Sequence, residues 1–308
     1  MINWNILSLN RSKLMGVAII LIMLYHLGFS SILNIGVDIF LILSGMSVYY
    51  SLRANSKLNI FYKKRIVRII PEFLLVSVPV SLIYMIVDKK SIQETITIAS
   101  GISVFLNYGF IFWFIPLILI CYCLAPLIFR IQQYEDIKKQ IGILTICTVC
   151  YILAFKIHSS FILFIRIPIF ILGMYVAPKI YQSIPLSSKM MIFNGISSMV
   201  GIPLSMYMIY NRYDWLYVFM GYSLYILQLT ILIAFILQKI NIPILSFFGG
   251  ISLELYLLHE SLCIRFCNLL FHNATSGMRM IFCPFLSILI AILAAWLLKT
   301  LNNKILRL

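Results

Sequence analysis

Charge is scarce in this chain. Only 11% of its 308 residues are charged, and just nine are acidic against 24 Lys and Arg. Internal repeats, low-complexity segments and soluble linkers are missing. No soluble domain of this size needs 62% hydrophobic residues or a mean hydropathy of +1.03. A water-facing globular fold is therefore excluded, and a polytopic membrane protein is indicated. Nothing between the apolar runs is long enough for a separate globular domain, so residues 1–308 read as one transmembrane domain. No A-x-A-like site follows the first apolar run, which argues against a cleavable signal. The chain lacks a G-x-S-x-G elbow, a Walker loop, a Gly-rich dinucleotide turn and any H-x-x-x-H pair. Its four histidines, His26, His158, His259 and His272, sit on four different segments, so no metal centre is expected. The net charge of +15 would suggest nucleic acid in a soluble protein. Here the positive-inside bias of membrane loops accounts for it, and no nucleic-acid partner is expected. All seven cysteines lie in apolar runs and read as core thiols. Cys147 and Cys150 have C-x-x-C spacing but lack the βα context of a redox motif.

What the chain does have is apolar runs of spanning length. Ten are expected to cross the membrane: 14–33, 36–53, 70–88, 110–130, 139–156, 160–178, 190–210, 215–238, 244–271 and 278–299. Each supplies about twenty mainly apolar residues, the length that a roughly 30 Å hydrocarbon core requires. Inside lipid each must be helical, because every backbone polar group has to be satisfied within the segment. The segment 92–109 is the ambiguous one. With ten spans, one set of loops and termini carries 17 Lys and Arg and the other carries 5. Inserting 92–109 as a further span changes the split to 11 and 11. The positive-inside rule therefore favours an all-α protein of about ten helices with both termini cytoplasmic. The segment 92–109 then becomes an outer-face interfacial or re-entrant element.

The stretch Leu14–Arg68 organises the rest. His26 is the only ionisable side chain between Leu14 and Leu33, and at 1.5 Å per residue it is expected about 18 Å above Leu14. After the Asn34-Ile35-Gly36 turn comes Asp38, and then a basic loop with Arg53, Lys57, Lys63, Lys64, Arg65 and Arg68. Intramembrane ionisable groups usually face a cavity or a partner. Two Arg one helical turn apart, Arg65 and Arg68, suit a phosphate-bearing ligand gripped by bidentate hydrogen bonds. An anionic head held at the mouth sends a long arm up to a base in the membrane, and coenzyme A has that shape. The plainer alternative is that the basic loop only sets topology or contacts lipid headgroups. Further along, Arg166 precedes Pro168, and Glu254, His259 and Glu260 make the ninth run unusually polar. Either these groups line a cavity or they serve as interhelical polar glue.

These residues fall in stretches that resemble the membrane acyltransferase type 3 family over nearly the whole chain. The resemblance rests on Leu14-Met-Gly-Val-Ala-Ile-Ile-Leu-Ile-Met-Leu-Tyr-His26, on Gly36-Val-Asp-Ile-Phe-Leu-Ile-Leu-Ser-Gly45, and on Phe61-Tyr-Lys-Lys-Arg-Ile-Val-Arg-Ile-Ile-Pro71 with its R-x-x-R. Trp113-Phe-Ile-Pro116, Arg166-Ile-Pro-Ile-Phe-Ile-Leu-Gly173 and Ile251-Ser-Leu-Glu-Leu-Tyr-Leu-Leu-His259 are less specific matches. The resemblance implies an integral-membrane O-acyltransferase. It would move an acyl group, usually acetyl, from cytoplasmic acyl-CoA to a hydroxyl of a cell-envelope carbohydrate or glycolipid, in the cell membrane of a bacterium. Acetyl-CoA is then a donor substrate rather than a resident cofactor, and the partners are the acceptor and membrane lipid. The implied catalytic residue is His26, either as general base or as carrier of the acyl group. Asp38 would orient the imidazole or favour its protonated form. Arg65 and Arg68 would hold the CoA phosphates, and Arg166, Glu254 and His259 are candidates for the cavity wall. One departure stands out: many members carry Arg just before the first Gly, and this chain has Met15 there, with Arg11 and Lys13 nearby. Many members carry a soluble esterase-like domain after the membrane part, and none is expected in these residues. The rival reading is a transporter or flippase for a glycan or lipid built on the same buried polar groups, disfavoured by the missing inverted repeat.

Topology is directly testable by labelling single cysteines from outside. A cysteine placed in 53–68 is expected to be protected and one near Lys89 to react; the reverse pattern removes the ten-span arrangement.

Overall fold

The computed structural model describes residues 3–54, 57–106, 108–240, 242–264 and 276–305. Arg265, Cys267, His272 and Asn273-Ala274-Thr275, an Asn-x-Thr sequence too weak a signal for glycosylation, fall outside them. The described residues are helical, with α1 (Arg11–His26), α2 (Gly36–Ala54), α3 (Leu58–Val87), α4 (Ile92–Ala99), α5 (Phe114–Ile131), α6 (Asp136–Lys156) and α7 (Ile167–Tyr181). Then follow α8 (Ser188–Tyr210), α9 (Trp215–Lys239), α10 (Pro243–Gly250), α11 (Ser252–Leu258) and α12 (Ser276–Ile305). Among the described residues, seven helical stretches are long and apolar enough to cross a membrane: Ser31–Ala54, Leu58–Val87, Phe114–Ile131, Asp136–Lys156, Phe161–Tyr181, Ser188–Tyr210 and Trp215–Lys239.

Of the three other expected spans, two take different forms, each for a local reason. The first stops early. α1 has 16 residues, about 24 Å of rise, and it closes at His26. Gly28 adopts φ +83, Gly28 N–H donates to the Tyr25 carbonyl and Phe29 N–H reaches back to that of Leu24. This is a Schellman closure, which favours glycine at the left-handed position. A 3₁₀ turn, Ser31–Ile35, then leads straight into α2. The ninth run is broken between α10 and α11, and a π-helical turn, His259–Ile264, follows. The last, 278–299, is contained within the 30-residue α12.

The basic stretch is also a correction. It was expected as a loop, but α3 starts at Leu58 and runs 30 residues through Pro71 and Pro79, so Arg65 and Arg68 stand on a helix. The segment 92–109 forms the short α4 and a 3₁₀ turn, Ile102–Phe105. Eight residues rise about 12 Å and do not cross a bilayer. A Ser91–Glu94 capping box starts α4. Lys90 donates to Glu94 at 2.7 Å and holds its carboxyl below the ordinary range.

Two helix pairs form the centre, and both are allowed by glycine. Lipid offers no hydrophobic drive for helix association, so close backbone contact matters more. α2 packs on α7, where a Cβ on Gly45 would overlap the Phe170 carbonyl and one on Gly173 the Ile42 carbonyl. α1 packs on α10 in the same way, Gly16 against Leu245 and Gly249 against Ser12. α6 and α8 lie outside and leave Ile137, Leu144, Met199 and Val200 exposed, as lipid-facing helices do. Cys121 and Cys150 are buried, Cys147 is partly so and Cys123 is exposed; these four are free thiols.

The glycine seams predict a sharp contrast. Gly45→Ala and Gly173→Ala force backbone apart and are expected to cost roughly 1–3 kcal/mol each. Gly195→Ala, with nothing within 4 Å of the new Cβ, is expected to be silent. Thermal unfolding of the three variants in detergent checks this; equal midpoints would remove the α2–α7 seam as a determinant.

Candidate active site

Two cavities meet in the middle of the bundle. The first, a cleft of about 780 Å³ counted with its open mouth, is lined by Arg11 and Met15 of α1, Ser44 and Ser47 of α2, Arg65 and Arg68 of α3, and Tyr122 of α5. The second, about 950 Å³ counted with its open mouth, surrounds His26, with Tyr25, Trp113, Trp215, Phe219 and Glu260 in its wall. Ile22, Val37 and Tyr256 belong to both linings. One helix connects them, since α1 brings Arg11 to the first at one end and His26 to the second at the other. Tyr256 is held in the partition: its hydroxyl accepts the Phe114 N–H at 3.1 Å.

His26 closes α1, and the carboxylate it meets is Glu260, not Asp38. Nδ1 lies 3.5 Å from Glu260 Oε1, an ion-pair distance longer than a charge-assisted hydrogen bond. The His259 ring stands edge-on to that of His26 with centroids 5.1 Å apart. His259 is buried. Its Nδ1 faces the Leu255 and Tyr256 carbonyls at 2.8 and 2.9 Å. Carbonyls only accept, so the proton sits on Nδ1, leaving the Nε2 lone pair without a hydrogen-bond partner. The structure thus joins two histidines that sequence spacing had kept apart. His26, His259 and Glu260 each offer a donor atom within 4.8 Å of the other two. The edge of a tetrahedral zinc site is roughly 3.3 Å, so these three residues could hold a metal only after closing inward.

Asp38 has a different partner. It stands in the first turn of α2, and its Oδ1 lies 3.6 Å from Arg166 Nε with both side chains fully buried. Arg166, at the break before α7, donates from Nη2 to Asn34 Oδ1 at 3.0 Å. Its guanidinium covers the rings of Phe219 at 4.4 Å and Trp113 at 5.0 Å. Asn34, Trp113 and Phe219 all line the His26 cavity, so Asp38 and Arg166 stand behind its wall. Glu254, expected to face the cavity, pairs instead with Lys299 of α12 at 3.4 Å. Lys299 also donates to the Gly250 carbonyl, which bridges the α10–α11 break.

Arg65 and Arg68 do share a cavity. Arg65 Nη2 donates to the Ser47 carbonyl at 3.4 Å, and its guanidinium lies 5.3 Å from the Tyr122 ring. Sequence reasoning had named Arg11 only as a neighbour of Met15. In the structure it enters the same cavity, and its Nε donates to Ser47 Oγ at 2.8 Å. Ser47 carried no signal in the sequence, and Glu260 was visible only as part of a polar run.

Residues 14–299 match the family model described as an acyltransferase domain. No curated protein and no solved structure matches the chain. A match that spans nearly the whole chain, on a helical bundle with membrane-crossing helices, identifies it as a multi-pass member of the membrane acyltransferase type 3 family.

Proposed function

We propose that this chain is an O-acyltransferase that takes an acyl group, acetyl in the simplest case, from acyl-CoA and transfers it to a carbohydrate hydroxyl. The observation that carries the reading is the meeting of the two cavities. One is lined with arginine and contains no carboxylate among the described residues; the other holds a histidine backed by a carboxylate and walled by aromatic rings. Anionic phosphates fit the first. Sugar rings fit aromatic walls such as Trp113, Trp215 and Phe219, which offer broad apolar faces. The spacing suits a pantetheine arm. Arg11 and His26 lie fifteen residues apart on α1, about 22 Å along its axis. The arm has the backbone of four to five extended residues, roughly 15 Å, and the arginine side chain spans the remainder. By the positive-inside count, the arginine cavity faces the cytoplasm and the histidine cavity the outer face.

In this reading Glu260 accepts from Nδ1–H of His26, and Nε2 is the base. It takes the proton of the acceptor hydroxyl as that oxygen attacks the thioester carbonyl. The new C–O bond forms, the C–S bond breaks, and the CoA thiolate leaves with the proton from the imidazolium. Asp38 and Arg166 act as positioning residues behind the aromatic wall. The family assignment favours chemistry over transport, so the flippase alternative is not carried further.

The decisive substitution is His26→Asn, which keeps a donor and an acceptor but takes no proton near neutral pH. With abundance and CoA affinity matched to the parent, turnover of acetyl-CoA plus acceptor is expected to fall by about 10²–10⁴-fold. Near-parental turnover would take His26 out of the mechanism. Failure of the parent to release CoA in the presence of acceptors would remove the transferase reading itself.

A further inference from the structure

The arginine cavity holds one more cation than the R-x-x-R accounts for. Arg11, Arg65 and Arg68 reach it from two helices, and no carboxylate among the described residues lines it. Arg11 and Arg65 are half-buried and Arg68 is exposed. Ser47 of α2 sits between the two half-buried ones and fixes both. Its hydroxyl donates to the Leu43 carbonyl at 2.8 Å, so the oxygen is left to accept from Arg11 Nε at 2.8 Å. Its own carbonyl accepts from Arg65 Nη2 at 3.4 Å. Gathering three guanidinium groups in a partly desolvated cavity is unfavourable unless an anion of matching charge enters. A single phosphate satisfies two arginines; a third one needs further anionic oxygens.

Resting on the acyl-CoA reading above, we propose that Arg11 is the third arm of a polyanion site, positioned by Ser47. By this arm the enzyme selects nucleotide-headed CoA thioesters over single-phosphate pantetheine donors of the carrier-protein type. CoA brings a pyrophosphate and a 3′-phosphate to the same arm that a carrier presents on one phosphodiester. Arg11 therefore adds to the binding of CoA and little to that of the shorter head.

Binding of CoA and of 4′-phosphopantetheine to the purified full chain in detergent tests this, for the parent and for Arg11→Gln, Arg11→Lys and Ser47→Ala. Arg11→Gln is expected to raise the Kd for CoA about 10- to 100-fold, the range of a lost charge-assisted hydrogen bond, and that for 4′-phosphopantetheine less than threefold. Arg11→Lys keeps the charge without the fork and is expected to recover only part of the loss. Ser47→Ala removes the hydroxyl that holds Arg11 and keeps the carbonyl that holds Arg65. It is expected to weaken CoA, and to add little when combined with Arg11→Gln. Parental CoA affinity in Arg11→Gln of unchanged melting temperature, or an equal loss for both ligands, overturns the proposal. A parent that binds neither ligand overturns the acyl-CoA reading on which it rests.

Discussion

The Asp38–Arg166 pair is the most demanding interaction in this bundle. Both side chains are fully buried at 3.6 Å, and a charge left alone in such a place costs several kcal/mol. The pair therefore cannot be opened cheaply, and everything attached to it is held as well. Arg166 alone touches four other segments: Asn34 in the 3₁₀ turn, Asp38 in α2, Trp113 at the start of α5 and Phe219 in α9. Three of these residues face the His26 cavity. The shape of that cavity is thus set from behind, by an electrostatic contact that no solvent reaches. The reciprocal glycine contacts of α2 with α7 bring the two charged elements close enough for the pair to form.

Irregular backbone gathers around His26. α1 stops at His26 through its Gly28 closure, and the opposing segment leaves α-helical geometry at His259. A π turn is uncommon and often marks a functional site. Here its effect is concrete. It places His259 and Glu260, adjacent in sequence, around one imidazole, with His259 edge-on to the ring and Glu260 against Nδ1. On a regular helix, successive residues point about 100° apart, so the departure at His259 bears on whether both can face His26. Such backbone is tolerated at membrane depth where it is enclosed by protein or lines a cavity.

Much of this was legible in the sequence, and the gaps have identifiable causes. Apolar runs located most of the crossing helices because lipid demands length and low charge. His26 and the Arg65–Arg68 pair stood out because ionisable groups are so few. The helix end at His26 was missed although Leu27-Gly28 carried the signal, because an apolar run continues to Leu33 and hydropathy does not register a glycine closure. The partner of His26 was missed for a different reason. Asp38 is near in sequence, whereas Glu260 is brought in by the fold from more than two hundred residues away. A basic stretch reads as a loop when charge is weighed alone, yet Lys and Arg are good helix formers, and α3 extends through them.

Under the proposed function, the two-cavity arrangement would put the chemistry between the two aqueous faces. Moving the phosphates of a CoA head across a hydrocarbon core carries a prohibitive desolvation cost, and so does moving a free sugar. The pantetheine arm and its thioester are uncharged and slender. In the proposed reading each polar partner stays at its own aqueous face, and only the arm passes Ile22, Val37 and Tyr256. Two of those three are aliphatic, and the hydroxyl of the third is engaged by the Phe114 N–H, so this partition offers a charged head little in exchange for its water. In that reading the arginines would do more than bind: an anion held at one end would set how far the thioester extends, and the length of α1 would place His26 where that reach ends.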